Sequence, residues 1–263
     1  MENNRFLSGA PVEGKFKRVP ALDKCFAILD LMAHTKKPLG ISDLSNALAY
    51  HKSTVFNMVY TLVDLGILEN GIDGKFRFGS RLYSLGKASG GGSELVSTIR
   101  PYLEEINRKT KLSVFLGILS GKRAVIMDKV DSPFDIKVSS EAGMAIPLVA
   151  GAGGKVLLSQ LSDPEVDHIL SESKLTKFTP TSCINKKRYK NLIKKAREEG
   201  FAVDDEEYIE GVRALAVPLR LNRGNLLAAV WVVGLKSQIK DKVLPSFRSM
   251  LMEIARRIEI RFS

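Results

Sequence analysis

The sequence predicts an α+β protein of two domains, and three observations support this. Residues 17–80 contain three stretches with the apolar spacing of helices, followed by a strand–turn–strand pattern. Residues 96–263 mix further amphipathic helices with apolar strands joined by short turns. Residues 81–95 include a run of three glycines typical of a flexible linker, and residues 1–16 have no periodicity and are expected to form a flexible tail.

Composition restricts the class of protein. The 263 residues are 44% hydrophobic and 26% charged, which favours folded domains with cores and excludes wholesale disorder. No apolar run reaches the roughly 18–20 residues of a membrane helix, and the N-terminal residues lack a secretory signal, so we expect a cytoplasmic protein. Cys25 and Cys183 stand alone and the three histidines lack metal-ligand spacing, so we predict no disulfide framework and no metal site.

The net charge of +11 is compatible with a polyanionic partner, but it does not locate one. Residues 1–92 carry 12 basic and 8 acidic side chains, a net charge of +4, and residues 93–263 carry 28 and 21, a net charge of +7. Because the excess is spread along the chain, a nucleic-acid-binding face has to be identified from the pattern of individual side chains.

The first two helices follow from the spacing of apolar residues. Six side chains at i, i+3, i+4 and i+7 positions predict the buried face of the first helix: Leu22, Cys25, Phe26, Leu29, Met32 and Ala33. Pro38 and Gly40 end this pattern. A short second helix opens at residues 41–43, where Ser42 is the expected N-cap.

The third helix, which ends at Gly66, has two chemically different sides. Its predicted buried stripe consists of Val55, Met58, Val59 and Leu62. The other side and its start carry Lys52, Ser53, Thr54, Phe56, Asn57 and Tyr60. These hydroxyl, amide, ammonium and aromatic groups suit contacts to base edges and phosphates in a DNA major groove. A short turn between two helices, the second with such a face, predicts a helix-turn-helix.

A β-hairpin is predicted next. Residues 66–69 and 75–79 form its strands, around a glycine-containing turn at residues 70–74. The second strand alternates basic and aromatic residues, which is typical of a DNA-contacting wing, so Lys75 and Arg77 join the predicted DNA-binding residues. A polar helix face that is merely solvated is the alternative. The wing and the short turn before the third helix favour DNA binding.

The second domain begins with an amphipathic helix, and strands and further helices follow. Its predicted strands are residues 113–119, 124–128, 214–219 and 226–233, with hairpin turns at residues 120–123 and 222–225. The helix at residues 186–197 carries seven Lys/Arg and is interpreted as a solvated outer face rather than a second DNA site. The C-terminal helix is expected to bury Phe247, Leu251, Ile254 and Ile258.

A glycine-rich segment at residues 151–155 fails the test for a phosphate-binding loop. The motif requires glycine where the chain has Val149, and Ser or Thr where it has Val156, so ATP hydrolysis is excluded. The segment is predicted to be a turn that opens a helix at Lys155. The free N–H groups of such a helix favour an anion such as a carboxylate, and a tight turn without a ligand is the alternative.

No pattern of catalytic residues is evident. The densest acidic cluster, residues 204–207 with Glu210, is interpreted as a solvated surface loop rather than a metal or hydrolase site. The histidines provide no evident base for a Ser, Thr or Cys nucleophile. We therefore predict that the chain is not an enzyme and needs no cofactor.

Three N-terminal segments resemble the winged helix of the IclR family of bacterial transcriptional regulators: VPALDKCFAILDLMA, ISDLSNALAYHKSTVFNMVYTLVDLGIL and GKFRFGSRLYSLG. The resemblance continues in PLVAGAGGKVLLSQL and GFAVDDEEYIEGVRALAVPL. It implies a GAF-like second domain for effector binding and oligomerisation, and dimers or tetramers on palindromic operators. The chain departs from the family pattern at Asn57, usually Arg, and at His51, usually Pro, so the family's base preferences do not transfer.

The same resemblance implies an effector pocket in the second domain. Its residues are Val138, Ile146, Ala152, Gly153, Asp204, Val212, Ala214 and Trp231. Relatives that bind small carboxylates tend to have Cys at Ala214, Ser at Trp231 and Val233, and His at Val149. Because thiol and hydroxyl donors are replaced by an indole and apolar groups, an aromatic or partly apolar effector is expected.

These inferences together predict a cytoplasmic, homodimeric or homotetrameric regulator that binds double-stranded operator DNA. It is expected to control a metabolic operon in response to a small organic acid or aromatic-type effector. The alternative is a small-molecule-binding or catalytic α+β protein whose winged helix mediates protein contacts. A steep salt dependence of binding to a promoter duplex would distinguish the two.

Overall fold

A computed structural model describes residues 17, 19–35, 37–88, 91–221 and 226–263. These residues belong to two compact units, one ending at Ser93 and the other running from Glu94 to Ser263. The predicted flexible tail, residues 1–16, and the predicted turn at residues 222–225 lie outside the described residues. Within the described ranges, no helix is both long enough and apolar enough to cross a bilayer.

The first unit has the predicted order of three helices and a hairpin. Its elements are α1 (Pro20–Thr35), α2 (Ile41–Leu48), α3 (Lys52–Asp64), β1 (Leu68–Asn70), β2 (Phe76–Phe78) and α4 (Ser80–Ala88). The two strands are antiparallel, with Leu68 opposite Phe78, and they are shorter than predicted because only three residue pairs align. Gly66, just beyond α3, has φ +69°, the left-handed conformation that glycine tolerates after a helix.

The predicted buried face of α1 is only partly correct: Met32 is buried and Leu29 packs against the core as predicted, but three other members are exposed. Ile28 and Met32 are its buried residues, whereas Leu22 and Phe26 are 59% and 60% exposed, and Ala33 is exposed too. The helix is apolar on more than one side, and Leu29 and Leu31 also pack against the core that Ile28 enters. The spacing of apolar residues is therefore compatible with two overlapping apolar stripes on α1, and packing against α2 and α3 determines which stripe is buried.

The predicted N-cap of α2 is also wrong. The helix begins at Ile41, so Ser42 lies inside its first turn and Gly40 is the N-cap. The Asp43 carboxylate accepts a hydrogen bond from the Gly40 N–H at 2.9 Å. The side-chain contact at this helix start is therefore made by the third helical residue, Asp43, with the N–H of the N-cap, and not by Ser42.

The second unit is a six-stranded antiparallel sheet with helices on both faces. Strand order is β5-β4-β3-β8-β7-β6. The strands are β3 (Ser113–Ser120), β4 (Arg123–Val130), β5 (Ala145–Pro147), β6 (Ala202–Asp205), β7 (Val212–Arg220) and β8 (Leu227–Leu235). The helices are α5 (Gly91–Thr110), α6 (Gly151–Leu158), α7 (Asp163–Glu172), α8 (Lys186–Glu199) and α9 (Leu244–Arg261).

The glycine run predicted as a flexible break is partly helical, because α5 already begins at Gly91. A glycine inside a helix costs about 1 kcal/mol relative to alanine. Leu95 and Ile99, in the next turns, are 1% and 0% exposed. Their burial favours the helix and offsets the cost of the glycines before them.

The two faces of the sheet bury separate cores, which explains why its central strands are apolar throughout. On one face, α5 and α9 cover side chains such as Leu116, Val230 and Val232. On the other, α6, α7 and α8 cover the alternate positions, including Phe115 and Trp231. In α9 the predicted residues Leu251, Ile254 and Ile258 are buried and Phe247 is half-buried.

The basic helix α8 pairs with the acidic helix α7. Lys190 contacts Asp167 at 2.6 Å, and Lys194 and Arg197 contact Asp163 at 3.2 and 2.8 Å. Three of the seven basic side chains of α8 are therefore paired with α7.

Candidate DNA-binding face and ligand cavity

The exposed side of α3 carries polar groups that the protein itself does not use. Lys52, Ser53 and Asn57 are exposed, and their side-chain polar groups have no hydrogen-bond or ion-pair partner within the described residues. Thr54 is half-buried at the edge of this side. The first turn contains no acidic residue, so Lys52 reinforces the positive end of the helix dipole. The start of α3 is thus suited to a phosphate and its next turn to base edges.

Two aromatic rings share this side of α3. Phe56 is 49% exposed and Tyr60 is 40% exposed. Their ring centroids lie 4.5 Å apart, and Tyr60 in turn meets Phe76 of the wing edge-on at 5.7 Å. Phe76 is buried and opposes Asn70 in the hairpin, so these contacts link the outer side of α3 to the wing.

The two predicted basic residues of the wing have different surroundings. Lys75 is exposed, and its ammonium has no partner within the described part of the chain. Arg77 instead pairs with Asp73 at 3.2 Å. Its guanidinium also fills the space beside Gly71, where a Cβ would lie 1.9 Å from the Arg77 Nη1 atom. Arg77 therefore closes the turn of the wing, and any phosphate it contacts competes with Asp73.

The second unit contains a cavity of about 170 Å³ between the sheet and the start of α6. All eight residues of the predicted effector pocket line it: Val138, Ile146, Ala152, Gly153, Asp204, Val212, Ala214 and Trp231. Further lining residues that the sequence did not identify are Phe115, Ser139, Ser140, Met144, Tyr208 and Ile209. Of these, only Phe115 could have been found from the sequence, because the alternation of side chains along its strand places it on the opposite face from Val114 and Leu116.

The indole of Trp231 is one wall of the cavity, and two glycines provide its space. A Cβ on Gly117 would lie 2.3 Å from the ring, and a Cβ on Gly153 would lie 3.2 Å from it. Phe115, which opposes Trp231 between β3 and β8, has its ring centroid 5.9 Å from that of the indole. The aromatic wall is therefore held by strand pairing on one side and by α6 on the other.

The glycine-rich segment is part of α6 rather than a turn before it. The helix begins at Gly151, and Gly154 is required there because a Cβ would lie 1.9 Å from the Leu148 carbonyl oxygen. The backbone at Leu148 passes so close to α6 that only glycine fits at this position of the helix. The N–H groups of the first turn lie beside the cavity, where Ala152 and Gly153 are lining residues.

Asp204 is the buried acid of this cavity. It is 4% exposed, and its carboxylate accepts a hydrogen bond from the Glu207 N–H at 2.7 Å. It also lies close to Gly151, where a Cβ would be 3.2 Å from its Oδ2 atom. Burial raises the pKa of Asp204 from 3.8 to about 6, because the ionised form is poorly solvated there.

The interpretation of residues 204–207 as a solvated loop is therefore wrong. Asp205 pairs with Arg213, Glu206 with Lys236, and Glu207 with Lys155, which is 2% exposed. The cluster is divided among separate cations because Asp204 and Asp205 belong to strand β6, whose side chains alternate between faces. Among the described residues, no group of three or more potential ligands could hold a metal ion.

Comparisons with known proteins match almost the whole chain. The family model of the IclR helix-turn-helix domain matches residues 21–71, and that of the bacterial transcriptional regulator IclR C-terminal domain matches residues 91–260. The transcriptional regulator XynR of Escherichia coli K12 is 30% identical over 236 residues, covering 89% of this chain and 94% of that protein.

Two solved structures share the fold. The Thermotoga maritima IclR is 24% identical with a TM-score of 0.73, covering 93% of this chain and 99% of that one. An IclR homolog from Microbacterium hydrocarbonoxydans, complexed with 4-hydroxybenzoate, is 23% identical with a TM-score of 0.80, covering 92% and 98%. Both solved structures therefore share the fold of this chain over nearly its whole length.

Proposed function

The chain belongs to the IclR family of ligand-responsive, DNA-binding transcriptional regulators, and on this premise we propose how it recognises its operator and its effector. Like its curated relatives, it is a transcriptional regulator and not an enzyme. We place its DNA contacts on α3 and the wing, and its effector in the cavity beside Trp231. It acts in the cytoplasm as a homodimer or homotetramer, since a two-fold assembly matches the palindromic operators of helix-turn-helix proteins.

The observation that carries the DNA assignment is the polar side of α3, whose Lys52, Ser53 and Asn57 have no side-chain partner in the described part of the chain. Asn57 lies one and a half turns into the helix, where an amide can form two hydrogen bonds to an adenine edge. The Lys52 and Lys75 ammonium groups, at the start of α3 and in the wing, have no partner among the residues that the structure describes and are suited to phosphate. We assign base readout to Asn57 and Ser53, and phosphate contacts to the two lysines and Arg77.

Two variants test this assignment on duplexes selected from a random-sequence pool by the full-length protein. Asn57→Ala should relax the preference among selected sequences, at about 1–3 kcal/mol for a lost bidentate contact. Lys52→Ala should weaken binding to all sequences alike and lower the salt slope by about one unit. If Asn57→Ala bound every duplex with unchanged affinity, base readout by this residue would be excluded.

The cavity supports an effector of one ring with a polar head. A cavity of about 150 Å³ is sufficient for benzene, so the 170 Å³ cavity has room for one ring and little more. Trp231, Phe115 and Val212 supply apolar walls, while the N–H groups at the start of α6 and the Asp204 carboxyl supply polar contacts. These features favour a small aromatic or partly apolar compound with a carboxylate or hydroxyl head.

The first probe is 4-hydroxybenzoate, which has this size and chemistry and is bound by the Microbacterium hydrocarbonoxydans homolog. A panel of single-ring acids and phenols and of short aliphatic acids should be titrated into the full-length protein, with DNA affinity as the readout. Single-ring compounds should change the affinity, and short aliphatic acids should not. A response confined to short aliphatic acids would contradict the proposed effector class.

A further inference from the structure

We propose that Phe56 is a specificity-determining residue that reads the methyl group of a thymine in the operator. The inference rests on the proposed function, because it requires α3 to enter the major groove. It adds an apolar contact to the hydrogen-bonding contacts assigned to Asn57 and Ser53. It also makes a prediction about the DNA that the polar contacts do not make.

Phe56 is an apolar ring on an otherwise polar surface. Its neighbours on the exposed side of α3, Ser53 and Asn57, present hydroxyl and amide groups. The core below this helix is formed by Val55, Val59 and Leu62, and Phe56 does not enter it, since 49% of its surface is exposed. An exposed ring contributes little to the stability of the domain, so its apolar surface remains available for a partner.

The ring is nevertheless held in place. Phe56 packs against Tyr60 in a tilted arrangement, with an interplanar angle of 40° and a centroid distance of 4.5 Å. Tyr60 in turn contacts the ring of Phe76 edge-on. Phe76 is 1% exposed and belongs to the core of the first unit. Because these contacts order the ring before DNA binds, little further conformational entropy is lost on binding.

The chemistry of the major groove identifies what such a ring can recognise. Adenine, guanine and cytosine present hydrogen-bonding groups along this edge, and thymine adds an apolar C5-methyl group. A phenylalanine ring has no donor or acceptor for the polar groups, but it gains from covering a methyl group. The aromatic pair on α3 is therefore complementary to a thymine, while Asn57 is suited to a neighbouring adenine.

Replacement of thymine by deoxyuridine removes only this methyl group and tests the proposal directly. Each thymine in a duplex selected by the full-length protein is replaced in turn, and the affinity of each variant is measured. Burying a methyl group is worth about 0.8 kcal/mol, which corresponds to about a fourfold change in affinity. We expect about a fourfold loss at one position, and its repetition at the symmetry-related position if the selected site is palindromic.

Protein variants then assign the methyl contact to its residue. In Phe56→Ala the difference between thymine and deoxyuridine should disappear at that position, and in Phe56→Leu part of it should remain. Tyr83→Ala, which removes a ring that is 68% exposed on α4, is the matched control and should retain the full difference. Thermal unfolding confirms that each variant is folded.

Three outcomes would overturn the proposal. If the wild-type protein binds every deoxyuridine duplex as tightly as the parent duplex, it makes no contact with a thymine methyl group. A difference that persists in Phe56→Ala belongs to another residue. If no duplex is selected, or if Lys52→Ala leaves affinity and salt slope unchanged, the assigned DNA face itself is wrong. A missing deoxyuridine effect together with a normal Lys52→Ala effect would overturn the role of Phe56 alone.

Discussion

The indole of Trp231 lies where a side chain at Gly117 would have to begin. A Cβ on Gly117 would be 2.3 Å from the ring and 3.1 Å from the Val125 carbonyl oxygen. Gly117 also lies at a register shift between β3 and β4, where the regular pairing of the two strands is interrupted. The size of residue 231 and the absence of a side chain at residue 117 are therefore coupled.

This coupling predicts a non-additive pair of substitutions. Gly117→Ala should lower the free energy of unfolding by about 1–3 kcal/mol, because neither the ring nor the strand can move away freely. In a Trp231→Ala background the same substitution should cost less, since the obstructing ring is gone. Urea unfolding followed by circular dichroism measures both costs, and equal losses in the two backgrounds would contradict the coupling.

Trp231 should also report on the effector. It is the only tryptophan in the chain, so its emission is free of interference from another indole. Any compound of the single-ring panel that changes DNA affinity should change this emission, because it contacts one wall of the cavity. A change in DNA affinity without any change in emission would place the effector elsewhere.

Trp231→Ser should change which compounds bind. The substitution enlarges the cavity and adds a hydroxyl, so it should weaken binding of the single-ring compound and favour smaller or more polar acids. Isothermal titration with both classes measures the ratio of their affinities. An unchanged ratio would show that the indole does not determine selectivity.

The buried carboxyl of Asp204 predicts a pH dependence of stability. Burial raises its pKa from the ordinary value of 3.8, which applies in the unfolded chain, to about 6 in the folded protein. Folding therefore favours the protonated form of this carboxyl. The favourable contribution is complete below pH 3.8 and is lost as the pH rises through about 6. Part of this contribution is already lost at pH 4, so relative to Asp204→Asn the wild type should lose about 2.5 kcal/mol between pH 4 and 7.

Asp205→Asn provides the opposite control. The hydrogen bond from Arg213 lowers the pKa of Asp205, so the stability gained from that ion pair is lost as the pH falls. Because the pKa of Asp205 lies below 3.8 in the folded protein, its contribution changes only below about pH 4, whereas that of Asp204 changes mainly above it. Chemical unfolding of wild type and both variants from pH 2.5 to 7 therefore distinguishes the two signs. A wild-type curve parallel to that of Asp204→Asn would show that this carboxyl does not titrate in the range.

In the wing, Asp73 competes with DNA for Arg77. Asp73→Ala should free the guanidinium and remove a negative charge, so binding to all duplexes should strengthen and become steeper in its salt dependence. Arg77→Ala should weaken DNA binding. In the Arg77→Ala background, Asp73→Ala should increase the affinity for DNA by less than it does in the wild type. Equal effects of Asp73→Ala in both backgrounds would exclude the competition.

Local patterns were sufficient for the elements of the DNA-binding unit. The apolar stripe of α3, the polar side around Asn57 and the glycine-containing turn of the wing involve residues near each other in the chain, where periodicity and turn chemistry act directly. The polarity of each side of α3 follows from its own residues. The cavity residues came from resemblance to a family, and spacing alone does not reveal them.

The tertiary structure decided which groups meet, because such contacts depend on the register and packing of segments far apart in sequence. Pairing of β3 with β8 brings Phe115 against Trp231, and α6 brings Gly151 to Asp204. Packing likewise selected Ile28 and Met32 as the buried side of α1 from a helix with two apolar stripes. The same acidic cluster that looks solvated in sequence contains one buried carboxyl, since a strand sends alternate side chains to opposite faces and its neighbours determine which face excludes water.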